Sequence, residues 1–298
     1  MTTVTEPDPV PHEIASLVTN EALPRGAAKL ASETYVLYVR QLKRLSRQAT
    51  VIFFSLVQPL IWLVLFGQMF GRIARLPGAA ASFGNVSYLQ FFIPTVILQS
   101  ILFGSGQSGV AIITDIDSGF LDKLLTTPIN RLAILAGRLL GDLTRITVQM
   151  VLVVIIGYIF GFWQDPQISF HYGIPGILAA LLIAMMFAIT LMALNVYIAL
   201  WTRSTEATFI VSNFLTLPLL FTSSAQLPIE LLPGWMQAIA HVNPVTYTID
   251  AMRVLLNGPD SVHGKSAGLV VVEALGILIG LGSVTLALAT SRFRSAVS

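Results

Sequence analysis

Apolar residues in this chain come in long blocks rather than at helical or strand spacing. Runs of about twenty, enough to cross roughly 30 Å of hydrocarbon as helix, fall at residues 51 to 70, 89 to 113, 139 to 162, 176 to 201, 207 to 227 and 268 to 290. They predict an all-α integral membrane protein with six transmembrane helices. The fifth run leads into LPIELLPGWMQAIAHVNPVTYTIDAMR, residues 227 to 253, which alternates apolar and polar positions and carries three prolines. Irregular backbone at membrane depth persists only where protein buries it or where it lines a cavity. The segment therefore predicts a re-entrant helical pair after the fifth span.

Ahead of the first span the pattern changes to a helical period. Ala31, Tyr35, Tyr38, Leu42, Leu45 and Ala49 fall on one face, and Lys29, Glu33, Arg40, Arg44 and Arg47 on the other. Residues 25 to 50 are thus expected to form an amphipathic helix in the cytoplasmic interface, attracting anionic lipid and placed to brace a cytoplasmic partner. Residues 1 to 24, rich in Pro and Glu, are expected to be a disordered cytoplasmic tail, and 51 to 292 the transmembrane domain.

Composition agrees: 55% of residues are hydrophobic and 11% charged, with a mean hydropathy of +0.78, where soluble domains carry about a quarter charged residues. The absence of cysteine excludes disulfides, thiolate metal sites and thiol nucleophiles. A formal charge of +2, dispersed along the chain, does not point to nucleic acid. Basic residues are unevenly shared between the connections. Thirteen of the 17 lie in the first arm, the second and fourth connections and the carboxyl tail, against Arg72, Arg75, Arg253 and Lys265 on the other side. The positive-inside rule then puts both termini in the cytoplasm of a multi-pass plasma (inner) membrane protein and turns the re-entrant segment outward.

Two motifs invite an enzymatic reading. Gly264-Lys265-Ser266 closes a nucleotide-binding P-loop, but the position that needs the first glycine is Pro259, which has no N–H for a phosphate cradle. The preceding IDAMRVLLNG reads as a helix ending at Gly258, where a P-loop needs a strand. Residues 106 to 109, GQSG, match the nucleophile pattern of intramembrane serine proteases, and of the four histidines only His241 lies near membrane depth. It belongs to the outer side, whereas Ser108 is near the cytoplasmic end of its span, beyond proton-transfer reach. A channel is disfavoured because no charged ring or filter-like loop recurs.

In the second span Ser100, Gly104, Gln107, Ala111 and Thr114 form a stripe of small and polar residues; in the fifth, Asn213, Thr216, Leu220 and Ser224 do the same, with Gln226 beyond. Such stripes serve either helix packing or the lining of a substrate pathway. Charges within spans are fewer. Spacing pairs Asp142 with Arg145 and Glu206 with Arg203, and makes Glu273 a candidate for a role at the outer end.

The second cytoplasmic connection, TDIDSGFLDKLLTTPINRLAILAGR, residues 114 to 138, opens with Asp115 and Asp117, which suit a helix amino terminus. It continues through Gly119 to an apolar stripe of Leu121, Leu124 and Leu125 around Asp122, and stops at Pro128. The order acidic pair, Gly, Leu, acidic residue, Leu, Pro resembles the coupling-helix motif of ABC type-2 permeases, the membrane subunits of ATP-driven exporters. Pro228 and Pro233, then Asn243, Pro244, Tyr247 and Arg253, resemble that family's outer re-entrant gate. The likeness runs from about residue 30 to 292 and is greatest to the daunorubicin-type drug-resistance permeases. Two departures stand out: Asp115 and Asp117 replace a Glu-x-Glu, and Ser118 replaces a basic residue.

The resemblance implies a half-transporter with no catalytic residue of its own. It would pair with a second permease copy or paralogue and with two P-loop ATPase subunits that hold ATP and Mg, so that no cofactor sits on this chain. Residues 115 to 128 would meet the ATPase, with the three leucines in an apolar groove and Asp115, Asp117 and Asp122 recognising its polar or basic rim. The cargo would be a hydrophobic or amphipathic drug or lipid-like molecule, with glycolipid or polysaccharide as the alternative.

Overall fold

The computed structural model describes residues 26–47, 49–72, 83, 86–127, 129–164, 170–262 and 266–296; the predicted tail, Pro128, Gly264 and Lys265 lie outside them. The described chain is helical: α1 (Ala27–Ser46), α2 (Ala49–Gly71), α3 (Tyr88–Asp117), α4 (Phe120–Leu125), α5 (Arg131–Gln164), α6 (Gly173–Thr202), α7 (Thr205–Phe221), α8 (Gly234–Ala240), α9 (Pro244–Asn257) and α10 (Ala267–Ala296). Among the described residues, α3, α5, α6 and α10 are long and apolar enough to cross a membrane, and Val57–Gly71 and Thr205–Phe221 are shorter apolar helices. Each predicted span thus corresponds to a helix, but the fifth stops at Phe221 instead of 227. The chain then runs irregularly to a 3-10 turn at Ile229–Leu231.

Local chemistry explains where helices begin and end. Ser87 and Ser204 accept from the amides of Gln90 and Ala207, capping α3 and α7. Asn243 accepts from the Val245 amide ahead of Pro244 at the first position of α9, which closes at Gly258 with φ 96°. The helix predicted before the GKS triplet is therefore present, and it is not the strand that a P-loop requires. Gly119, at φ 65°, supplies the left-handed residue that ends α3 and turns the chain into α4.

Helices α3 and α6 form the centre, α6 lying against α3, α9 and α10. From Tyr88 to Leu102 every residue of α3 is buried. The outer surfaces are apolar instead, with Tyr158, Leu182, Phe214, Val272 and Ile279 exposed, as expected of a bundle whose solvent is lipid. Small residues bring α3 against α6: a methyl added to Gly109 would lie 2.6 Å from the carbonyl oxygen of Asn195. Alongside, the Asn195 Nδ2 donates to Ser105 Oγ at 3.1 Å.

Prolines inside helices leave backbone carbonyls without their helical donor. Pro59 does so for Ser55, whose oxygen accepts from Gln149 Nε2 of α5 at 2.7 Å. Pro94 does so for Gln90, whose oxygen accepts from Asn257 Nδ2 of α9 at 3.4 Å. Amide side chains thus mend the backbone across helices.

Helix α1 is seated on the first turns of α5. A methyl on Gly137 would come within 2.8 Å of Leu37 Cβ, one on Gly141 would collide with Gln41, and the Tyr38 hydroxyl meets Thr144 Oγ1 at 3.1 Å. Tyr35, assigned to the same apolar face as Tyr38, is 66% exposed. A pair of glycines one turn apart makes the seat.

Replacing Gly109 with Ala should lower the unfolding temperature of the purified chain by an overpacking cost of about 1–3 kcal/mol. Gly276→Ala, where nothing lies within 4 Å of the added carbon, should be neutral or stabilising by up to about 1 kcal/mol. Equal melting of the two variants in detergent would contradict this packing.

Candidate functional site

Three polar stations lie along α3. The first is the end that carries α1 and α4. Asp115 and Asp117 were expected at a helix amino terminus, yet they occupy the last turn of α3, where the helix dipole opposes a carboxylate. Arginines compensate for Asp115: Arg44 of α1 reaches its Oδ1 at 3.2 Å, and Arg138 of α5 donates to its Oδ2. Arg138 also lies 3.9 Å from Asp142. The predicted Asp142–Arg145 pair is therefore not formed, because Arg138 takes Asp142 and Arg145 Nη2 donates to the Gly104 carbonyl at 2.9 Å. Nor do Arg203 and Glu206 pair among the described residues: Arg203 ends α6 at φ 53°, and Glu206 sits in the first turn of α7.

The same helix α1 holds α4 and its exit. The Arg40 guanidinium stacks 3.7 Å over the Phe120 ring, and Glu33 accepts from the Asn130 amide at 2.9 Å. Burial, and after it repulsion from Arg44, lowers the Arg40 pKa below its usual value. This clamp was invisible as a motif, since its members come from four separate segments.

Leu121 requires a correction. Expected to enter a partner's groove, it is 5% exposed and belongs to this chain's own core, with Leu124 half-buried beside it. In this six-residue helix, pinned from both sides, Leu121 is the side chain turned inward. What the turn exposes is polar: Asp117, Ser118, Lys123, Thr126, Thr127 and Asn130. Asp115, expected to read a partner's rim, is already held by Arg44 and Arg138. The side chains of Asp122 and Leu125, and Pro128 altogether, lie outside the described residues.

Midway along α3 the second station is a cavity of about 560 Å³ between α2, α3, α5 and α7. It gathers five of the residues predicted from the two stripes: Ser100, Gly104, Gln107, Asn213 and Thr216. Gln58, Gln99, Arg145, Gln149 and Ser212 also line it and were missed. Glutamines interrupting apolar runs were the signal that could have found them.

Ser224 and Gln226 belong elsewhere. Ser224 donates to Asp250 at 2.8 Å, and the Gln226 carbonyl accepts from the Tyr88 hydroxyl at 3.2 Å, both at the third station. There Arg253, 2% exposed, places its guanidinium 3.6 Å above the Phe91 ring, donates to the Ala225 carbonyl at 2.8 Å and faces Asp250 at 3.6 Å. Thr95 donates to the same carbonyl. Asn243, besides capping α9, donates to Leu219 O at the end of α7 at 2.8 Å. Pro228 and Pro233 precede the two short helical pieces, and the Tyr247 hydroxyl donates to His241 O at 2.6 Å. These contacts knot α3, the irregular stretch after α7, and α9 together. A smaller cavity of about 250 Å³ beside them is lined by Glu230, His241, Asp250, Arg253 and Glu273.

The protease reading gains no site among the described residues. Ser108 is fully buried and its hydroxyl has no hydrogen-bond partner among the described residues, while the His241 backbone is at the third station with Tyr247. A model of the ABC-2 type transporter family matches residues 32–257. The chain belongs to the ABC-2 type transporter family. It is 33% identical to the daunorubicin resistance ABC transporter permease protein DrrB1 of Streptomyces coeruleorubidus over 73% of this chain and 75% of that one. A doxorubicin resistance ABC transporter permease, DrrC of Mycobacterium tuberculosis, is 25% identical over 86% of this chain and 91% of its own length. The inner membrane transport permease YadH of Escherichia coli is 25% identical over 67% and 74%. The ABC-2 chain is thus a multi-pass transport permease and not an enzyme. The family match covers all three stations.

For this permease, a double-mutant cycle of Asp115→Asn and Arg138→Gln should give a coupling of about 1–3 kcal/mol in chemical unfolding. Additive losses would show that the ion pair does not hold the turn.

Proposed function

We propose that the chain is one half of an ATP-driven exporter, a six-span permease with both termini in the cytoplasm. A second permease, a copy or a paralogue, faces it across α3 and α7, and two separate P-loop ATPases dock beneath. The observation that carries this reading is the α3–α4–α5 turn. A polar surface from Asp117 to Asn130 is locked to two membrane helices by Asp115, Arg138 and α1, at the end where basic residues concentrate. A rigid polar knuckle suits the transfer of a push, which a loose loop would absorb.

Support for a pathway comes from the mid-bundle cavity, which collects polar side chains where lipid-facing helices have no use for them. The short α8 and α9, tied to α3 through Arg253, form the re-entrant outer gate. Drug-resistance permeases among the relatives support an amphipathic drug or lipid-like cargo moving outward across the plasma membrane, rather than a long polar glycan. ATP and Mg belong to the ATPase, so the purified permease alone should not hydrolyse ATP.

Because the chain has no cysteine, single-cysteine variants are clean probes. Thr127→Cys should cross-link to a cysteine on the ATPase surface, and Asn213→Cys should join two permease chains. A Lys123→Glu, Thr127→Asp variant should reach the membrane at normal levels yet lose at least tenfold of its ATPase co-purification and its efflux, since like charge and desolvation at a docking surface cost about 2–4 kcal/mol. Unchanged association and transport would remove the turn as the coupling contact.

A further inference from the structure

The walls of the 560 Å³ cavity carry a charge pattern that the pathway reading alone does not require. Its size lies within the range of small-molecule sites, roughly 300–1,000 Å³. Gln99 and Gln107 stand nearly 20 residues or fewer from either end of the 30-residue α3, so the cavity is at mid-bundle, where water is scarce. Phe103, Phe209 and Pro59 give it an apolar side. Arg145 is the one charged residue among those that line it, and it forms no ion pair with a carboxylate among the described residues.

Three buried acceptor atoms that belong to lining residues are also left over. Gln99 Oε1, Gln149 Oε1 and Ser212 Oγ have no hydrogen-bond partner among the described residues, although their residues are only 3%, 6% and 4% exposed. Gln149 is held in place, since its Nε2 is spent on the Ser55 carbonyl that Pro59 frees. Its oxygen is the end left without a partner. Buried polar atoms without partners are costly, and a lone cation in hydrocarbon more so. A ligand that supplies an anion to Arg145 and O–H or N–H donors to the three oxygens satisfies all four groups at once.

We propose that this cavity is a binding site for a hydroxylated amphiphile with an anionic head, held by Arg145 through the head and by Gln99, Gln149 and Ser212 through its donors. The assignment rests on the export reading for its biological sense, but binding does not need transport. A cationic amphiphile is selected against, because Arg145 repels it and no lining carboxylate compensates it. The apolar side takes the tail.

Photolabelling of the full chain in phosphatidylcholine nanodiscs tests this, with a diazirine-bearing dodecyl phosphate and the matching dodecyltrimethylammonium as probes and peptide mapping as the readout. The phosphate should label α3 and α7 peptides saturably, about tenfold more than the ammonium, and Arg145→Gln should remove that preference while Arg145→Lys keeps most of it. Gln99→Leu with Ser212→Ala should weaken labelling by a hydroxylated phosphate probe severalfold and leave the simple one unchanged. Phosphatidylglycerol added to the discs distinguishes sources: competition identifies a bilayer lipid as the occupant, and no competition a separate cargo. Equal labelling by both probes, or labelling indifferent to Arg145→Gln in a variant with unchanged melting, overturns the site. Labelling as expected in a chain that recruits no ATPase would instead sink the export reading and leave the site standing.

Discussion

A backbone carbonyl inside hydrocarbon must find a donor within the protein, and much of this structure follows from meeting that demand where helices are interrupted. Pro59 and Pro94 free the carbonyls of Ser55 and Gln90, and amides from α5 and α9 reach across to them. Where α7 ends early, Asn243 serves Leu219 and Arg253 serves Ala225. Each repair joins two elements that are distant in sequence. The polar side chains that look out of place in apolar runs are thus the ones that fix how the helices sit.

The clamp at the opposite end answers an electrostatic demand of the same kind. Asp115 stands where the carboxyl end of α3 disfavours negative charge, and its position is tenable because Arg44 and Arg138 converge on it. Since Arg44 belongs to α1 and Arg138 to α5, the carboxylate cannot keep both partners unless the three helices hold their relative places. The same α1 reaches Phe120 and Asn130, which makes the amphipathic arm a strap over the turn. Gly137 and Gly141 admit it closely enough for those reaches to succeed.

What was legible in the sequence was one-dimensional. The apolar blocks located the helices, Asn243-Pro244 and Gly258 marked the ends of α9, and helical spacing alone picked out Ser100, Gly104 and Gln107 with Asn213 and Thr216, which the fold brings to one cavity. The failures all concern choices between partners. Asp142 had Arg145 three residues ahead and Arg138 four behind, and spacing could not say that Gly104 would claim the former. Leu121 sits on the same short stripe as Leu124, and the stripe alone could not say that Leu121 would be taken into this chain's own core. Asp115 followed a family motif, and whether α3 stops before or after it depends on the glycine at 119.

Helix α3 connects these results mechanically. Over 30 residues, about 45 Å at the rise of an α-helix, it carries Asp115 at one end, the cavity residues in the middle and Thr95 with Tyr88 at the knot. Against α6 it is held by the Asn195–Ser105 hydrogen bond and by the close approach at Gly109, contacts too tight to slide past one another without separating. A displacement of the α4 turn that preserves the Asp115 clamp must therefore either carry α6 along or break α3 from it beside the cavity. Either outcome changes the walls formed by Gln99 and Arg145, because one lies on α3 and the other donates to its backbone. The proposed docking at the turn and the proposed occupancy of the cavity would in this way be two constraints on one helix, which is the minimum that coupling between them requires.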